Sequence, residues 1–323
     1  MPGYGRDSWG SVVEEAEYGT TPGTGETYFE IVSEDVKLKC SPIKRKSLRG
    51  VSPRFTYLGH KTVGGPINLE MLFEGLGLFI KHGMGGYDFT ADTPVEGANT
   101  HVFTLADTLP TGLSVELCKG NIPSGKVFLY EGGKVDTLDF KFADEQCVGM
   151  DVGMIFQSET PNTAASDTPT YPGDHPVLYH YAGTLTLAGT ASLNFKSGNI
   201  MLNNNLPKDR FLMSQSTREP LRNIGREVTG AFTIEYADLA LYDKWLVPTT
   251  GALTLAYTST EMITGTTPYT ATFSMVKAQL AGEPAVVQGE GTIEVTYPFI
   301  GLHNNDATDA LTITLVNAAS TLA

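Results

Sequence analysis

Long apolar runs are missing from this chain: none of its 323 residues lies in the stretch of roughly 18 to 20 apolar residues that a helical membrane span needs. Positive charge is scarce as well. Lys and Arg number 22 against 36 Asp and Glu, for a formal net charge of −14. A protein that grips nucleic acid needs a basic patch to displace counterions from phosphates, so that role is disfavoured. Cysteine is limited to Cys40, Cys118 and Cys147, with no CxxC pair and no metal-ligand spacing. In strand-like surroundings such thiols read as reduced, small buried hydrophobes. The opening residues, Met1-Pro2-Gly3-Tyr4-Gly5-Arg6-Asp7, carry no basic segment followed by an apolar core, so no secretory signal is expected.

The usual signs of chemistry are thin too. Gly120-Asn121-Ile122-Pro123-Ser124-Gly125-Lys126 satisfies GxxxxGK, yet Val127 stands where a metal-reaching Ser or Thr belongs. Val127-Phe128-Leu129-Tyr130 reads as a strand, whereas a phosphate loop must open a helix whose amides face the phosphates. A hairpin loop is expected there. His175 and His180 lack an HExxH context, no GxSxG elbow is present, and Asp136, Asp139, Asp144 and Glu145 read as a solvated acidic sheet face rather than a hydrolase pair. No catalytic residue, cofactor site or metal site is expected.

What the chain does have is a pattern that occurs twice. His60-Lys61-Thr62-Val63-Gly64-Gly65-Pro66-Ile67-Asn68-Leu69-Glu70 returns as Gly225-Arg226-Glu227-Val228-Thr229-Gly230-Ala231-Phe232-Thr233-Ile234-Glu235, at a constant offset of 165 (226 − 61 and 235 − 70). The alternation predicts a half-buried strand in each copy. Apolar positions at three- and four-residue steps then predict a short helix over Met71–His82 and another over Ala237–Leu246. Gly75 and Gly77 each cost such a helix about 1 kcal/mol, so packing must hold it. The rich supply of Gly and Thr favours strands and turns throughout.

The expected order is therefore strands, helix, strands, traversed twice. Residues 1–26 read as a mobile N-terminal arm, 27–157 as a first domain, 158–176 as a Pro-, Ser- and Thr-rich linker, 177–302 as a second domain and 303–323 as a C-terminal arm. Strands are predicted at Val102–Leu105, Leu113–Cys118, Val127–Tyr130, Val135–Phe142 and Val148–Phe156, with a hairpin turn at Glu131-Gly132-Gly133-Lys134 and a loop over Gly83–Thr100. In the second half they are predicted at Ala252–Tyr257, Tyr269–Leu280 and Thr292–Phe299.

Taken in order, Gly25-Glu26-Thr27-Tyr28, Ser47-Leu48-Arg49-Gly50, the repeated strand with its helix, and Asn223-Ile224-Gly225-Arg226-Glu227-Val228-Thr229-Gly230 resemble the tail tube proteins of tailed bacteriophages. The resemblance spans most of residues 25–300. It implies a mainly β protein made of two tandem tail-tube-type β-sandwich or half-barrel domains, each flanked by one α-helix. It also implies subunits that close into rings through a shared inner β-barrel, the rings stacking into the tube of a virion tail assembled in the host cytoplasm. The implied partners are further copies of the chain, in a trimeric ring with pseudo-sixfold symmetry or a hexameric one, together with tape measure and tail-terminator or tail-tip proteins. Double-stranded DNA would pass through the lumen without specific binding, and there would be no membrane insertion. The residues assigned to assembly are Lys44, Arg45, Lys46 and Arg49 of the basic cluster 37–54, and Val63, Gly65, Glu70, Arg226, Val228, Gly230 and Glu235 of the repeat. The rival reading is a β-sandwich binding module, a virion decoration or carbohydrate-adhesion protein, for which Tyr171, Tyr179 and Tyr181 are the only hint.

Overall fold

The computed structural model describes residues 5–23, 25–44, 56–120, 127–164, 176–187, 190–192, 195–214, 216–222, 224–236, 250–281, 290–303 and 310–322. Strands dominate. In chain order they are β1 (Trp9–Glu14), β2 (Thr27–Phe29), β3 (Ser33–Glu34), β4 (Lys37–Lys44), β5 (Thr56–Glu70), β6 (Gly85–Thr90), β7 (Asn99–Leu105), β8 (Leu113–Cys118), β9 (Val127–Ala143), β10 (Gly149–Phe156) and β11 (Ser158–Thr163). The second half contributes β12 (Gly183–Leu187), β13 (Thr190–Ser192), β14 (Phe195–Asn203), β15 (Glu227–Glu235), β16 (Thr250–Thr264), β17 (Thr267–Leu280), β18 (Glu294–Gly301) and β19 (Thr312–Asn317). One α-helix, α1 (Gly77–Met84), stands among the described residues.

The pairings are antiparallel. One curved layer runs β3 and β4, then β5, β10, β9, β14, β15 and β18. Alternation places Val63, Ile67, Leu69, Val152, Phe140, Ile200, Val228 and Phe232 on its inner face, all buried. At β18 the layer turns through β17 into β16 and β12, and into β19, β7 and β6. These lie opposite the first layer, so that Phe140 meets Phe273 edge-on at 4.9 Å. A second turn, through β9, leads to β8, β1 and β2. The helix fills the space beneath, with Phe79 fully buried 5.2 Å from Phe29.

The turn through β9 differs from expectation. Glu131–Lys134 is not a hairpin turn but the corner of one continuous strand. Val127–Glu131 pairs with β8 and β11, while Lys134–Lys141 pairs with β10. Gly132 has φ +65° and the register against β8 slips there, as at a β-bulge that lets one strand serve two sheets.

Ladder registers of the first half recur in the second. Val63 faces Phe156 and Glu70 faces Gly149, while Val228 faces Gly301 and Glu235 faces Glu294. The partner strand is displaced by 145 residues in both cases (301 − 156 and 294 − 149). The same displacement takes Lys134–Ile155 to Gln279–Ile300 and Tyr130 of β9 to Met275 of β17. Val115, opposite Tyr130, becomes Leu253, opposite Met275, and each strand slips register just before that residue. The pairs β1–β8, β1–β2 and β9–β11 recur as β12–β16, β12–β13 and β17–β19.

Several local expectations need correction. The N-terminal arm is not loose: β1 is buried between β2 and β8, because Val12 and Val13 supply an apolar strand that two neighbours can pair. The C-terminal stretch likewise contains β19, paired to β17 and β7. Ser158–Thr163, placed in the linker, is a strand on β9; residues 165–175 lie outside the described residues. The helix begins six residues later than Met71, since Gly75 takes a left-handed φ of +82° and Met71 instead bonds across to Val148 and Leu178. Gly85–Thr90 is strand rather than loop, because it pairs with β7. The second expected helix, Ala237–Leu246, falls outside the described residues, as do residues 121–126 of the GxxxxGK stretch, although Val127 does begin a strand.

Candidate assembly surfaces

The repeat residues occupy matching places. Val63 and Val228 are buried in the core, and Glu70 and Glu235 stand exposed at the ends of β5 and β15. The glycines are required by close approach. A Cβ on Gly65 would lie 2.0 Å from the Asp35 carbonyl oxygen, and one on Gly230 would lie 2.1 Å from the Asn199 oxygen and 2.4 Å from the Phe299 ring. Arg226 has a further role: its Nη1 donates to the Met84 carbonyl at 2.6 Å, so that the last carbonyl of α1, which also accepts the Ala106 amide at 3.0 Å, is held from the far half of the chain. Lys44 ends β4 and is exposed, while Arg45, Lys46 and Arg49 lie outside the described residues.

The outer face of the first layer is polar. Thr62, Asn68, Asn199, Thr229 and Thr233 supply small polar groups, and Glu70, Asp139, Asp151, Glu235 and Glu294 supply carboxylates. Cations on the same face have acidic neighbours: Lys141 pairs with Asp151, Lys196 with Glu294, and Lys37 with Asp35 at 2.5 Å. Bonding to Asp151 raises the pKa of the Lys141 ammonium, and the bond to Glu294 does the same for Lys196. Desolvation raises the Asp139 carboxyl pKa, opposed by the Asn199 amide that donates to it at 3.0 Å. Lys37 and Lys39, members of the basic cluster expected at contacts between subunits, share this face at its β4 edge, opposite Gly64 and Thr62. Asp136 is not part of a solvated face. It is buried, accepts the Leu206 amide at 2.9 Å and pairs with Lys208 at 3.1 Å.

Residues that sequence reasoning passed over hold the two halves together. Seven consecutive residues of β9, Thr137–Ala143, pair with Asn203–Ser197 of β14. Phe142 crosses this joint, stacking with Tyr257 at 5.8 Å and packing near Phe195 at 6.4 Å. Alternation with Phe140 marks Phe142 as core, but nothing local says that its neighbours come from the other half. Glu15 is likewise buried inside what read as a loose arm. Its carboxylate accepts from Ser114 Oγ at 2.6 Å, from the Gly132 amide at 2.8 Å and from the Gly19 amide at 2.8 Å, tying the N-terminus to the β9 corner.

His101 performs a similar service at the other end. Its Nε2 donates toward Asn317 Oδ1 and the Ala319 carbonyl, so Nδ1 accepts from the Tyr87 hydroxyl at 2.9 Å. Among the described residues no group of three or more His, Cys, Asp or Glu side chains could hold a metal ion, and no helix is long and apolar enough to cross a membrane. All three cysteines are free thiols.

The geometry is that of a scaffold: extended ladders, a polar sheet face and an internal joint. No curated protein matches the chain. The family of phage tail tube proteins does, over residues 5–301, with a mainly β architecture and a structural role in the tail of the virion. The chain therefore belongs to the phage tail tube protein family.

Proposed function

We propose that this chain carries two tube domains in tandem and that three chains close into a ring of six pseudo-equivalent domains. The rings stack into the conduit through which DNA leaves the virion. The observation that supports the reading is the recurrence of ladder register between the two halves of the chain. The polar face of the first layer is assigned to the bore. Its excess of carboxylates over ammonium groups repels phosphate, and its small polar groups hold a hydrated layer past which a duplex slides. Lys or Arg lining a bore without acidic partners would instead add salt-dependent grip at each phosphate. Lys37 and Lys39 of the basic cluster 37–54 share that face at its edge, and Lys44, Arg45, Lys46 and Arg49 are assigned to contacts between subunits or rings, where opposite charge fixes register. Tape measure and terminal tail proteins are the other expected partners, with assembly in the host cytoplasm.

Negative-stain microscopy of the purified protein tests the reading directly, with the mass of a single ring as its second readout. Three chains give about 104 kDa (3 × 34.7) and annuli of regular bore. Six chains per ring would mean that one half of each chain stays off the bore. A monodisperse monomer under all conditions would favour the binding-module reading, for which the stacked Tyr179–Tyr181 pair, with Tyr181 77% exposed, is the available surface.

A further inference from the structure

We propose that the turn Phe211–Ser214 is an apolar peg, and that it seats in the cavity beside Ile31 and Val32 of a second copy of this chain, in the next ring. The inference rests on the tube reading and names one contact through which rings stack.

The segment that links β14 to β15 crosses from the second half of the chain onto the first. The Asn204 side-chain amide donates to the Gly83 and Val135 carbonyls at 2.9 Å each, Lys208 pairs with Asp136 at 3.1 Å, and Glu219 pairs with the buried Lys134 at 2.8 Å. Phe211 stacks on His60 at 4.0 Å, His60 Nδ1 donates to the Ser214 carbonyl at 3.1 Å, and Ser216 bridges to Lys61. These anchors fix the turn over the start of β5. The turn itself breaks a local rule. The Ser214 amide donates to the Phe211 carbonyl at 2.9 Å, and the two residues between them, Leu212 and Met213, have φ +45° and +65°. Turns with two positive φ values take Asn and Gly, because a Cβ in the left-handed region crowds the following carbonyl oxygen. Here they carry large apolar side chains, Leu212 64% exposed and Met213 wholly exposed. A strained backbone that displays apolar groups to water is unfavourable on both counts, and the contact that offsets it is not made within the monomer.

A matching hollow lies toward the other end of the same strand. Ser33 pairs with Asn68 of β5, eight residues (68 − 60) beyond His60 and so roughly 26 Å along the strand. A cavity of about 390 Å³ opens there, lined by Ile31, Val32, Ser33, Leu117, Cys118 and Lys119, and Val32 is 65% exposed. At roughly 30 Å³ for each water-sized group, the Leu212 and Met213 side chains together need about 240 Å³, so both fit. Charge agrees in sign. The linking segment carries Lys208, Arg210, Arg218 and Arg222 against Asp209 and Glu219, while the surroundings of the cavity carry Glu30, Glu34 and Asp35 against Lys37 and Lys119. Peg and cavity stand too far apart to meet within one chain, but a second copy displaced along the strand direction brings them together. The surfaces are unlike, so the contact repeats head to tail and gives an open stack.

A double variant, Leu212→Asn with Met213→Gly, supplies the residues that the turn favours and removes the peg. Its monomer should melt at or slightly above the wild-type temperature, while the concentration needed for tubes rises about tenfold or more and negative stain shows single rings. Val32→Arg blocks the cavity from the other side and should reproduce that loss, with the monomer's melting temperature unchanged because residue 32 is exposed. Cross-linking reads the contact itself. Met213→Cys, on oxidation of assembled tubes, should join to Cys118 of the neighbouring copy and give covalent ladders, which adding Cys118→Ser abolishes. Ile224→Cys, exposed on the same segment, should give none. Normal tubes from the double variant or from Val32→Arg at the wild-type concentration, a lowered melting temperature of the double variant, or tubes without ladders would overturn this contact and leave the tube reading standing. Tubes of the double variant that form normally but fail to join terminal tail proteins would assign the turn to those partners and overturn it as well. A wild-type chain that never forms rings would overturn both.

Discussion

Alanine at the repeated glycines separates packing from propensity. A glycine inside a strand ordinarily costs about 0.5–1 kcal/mol relative to Ala, so propensity alone expects Gly230→Ala to stabilise, while Gly65, at φ +159°, also holds a backbone conformation that L side chains rarely adopt. The structure reverses the sign. The added methyl would sit 2.0 Å from the Asp35 oxygen or 2.1 Å from the Asn199 oxygen, where carbon and oxygen normally approach to about 3.3 Å. Both obstacles are backbone atoms, one in the link between β3 and β4 and one in β14, so no side chain can swing away and the paired segments must part by more than 1 Å. Overpacking of this kind costs about 1–3 kcal/mol, and a neighbouring ladder bond stretched past its range adds about 1 kcal/mol. The expected loss is about 2–4 kcal/mol for each variant. Gly149→Ala is the control, because its nearest neighbour, Lys141 Cβ, lies at 3.7 Å, ordinary contact distance; it should fall within about 0.5 kcal/mol of wild type or slightly above it. Urea unfolding followed by tryptophan fluorescence and circular dichroism measures all three. If Gly65→Ala and Gly230→Ala behave like the control, the repeated glycine is not there for close strand approach and the reasoning is wrong.

Glu15→Ala should cost about 3 kcal/mol or more, because it strands a buried Gly132 amide and the Ser114 hydroxyl; a loss below 1 kcal/mol in the same unfolding assay would return residue 15 to a loose arm. Stability should fall on acidification. Burial lowers the pKa of His82 and of His101, so the unfolded chain binds protons first and stability drops as pH falls below about 6.5. Hydrogen bonding from His82 holds the Glu14 carboxyl near 2, which removes further stability between about pH 4.5 and 2; melting temperatures that stay flat from pH 8 to 3 would contradict both. Replacing Glu70, Glu235 and Glu294 by Lys should give tubes that retain duplex fragments in sedimentation, with retention lost as salt rises; no retention at low salt would mean that this face is not the bore. Replacing Lys44, Arg45 and Lys46 by Ser should impair tube formation, most at raised ionic strength where screening weakens the remaining pairs, and normal assembly of that variant would refute the role given to the basic cluster.

Alternation over Val63–Glu70 and Val228–Glu235 was enough to read two strands and their buried faces, because the period of a strand is a local property. The same reasoning found β8 to the residue and the cores of β9, β10, β17 and β18. The net charge of −14 was equally legible, and with it the case against a DNA-gripping surface. Local signals failed wherever a distant partner decided the outcome. Gly132-Gly133 has the chemistry of a turn, but β8 and β11 on one side and β10 on the other pull it into a bulged corner of β9. Trp9–Glu14 looked loose only because its partners lie at Thr27–Phe29 and Leu113–Cys118. Met71 satisfied a helical period, yet its amide found Val148 and its carbonyl found Leu178, contacts that no window around residue 71 contains. The joint between the halves belongs to this second class. That Phe142 would be buried could be read from its place in β9; that Tyr257 and Phe195 would bury it, and that Ile31 and Lys119 would be left facing a cavity, required the strands to be brought together in space.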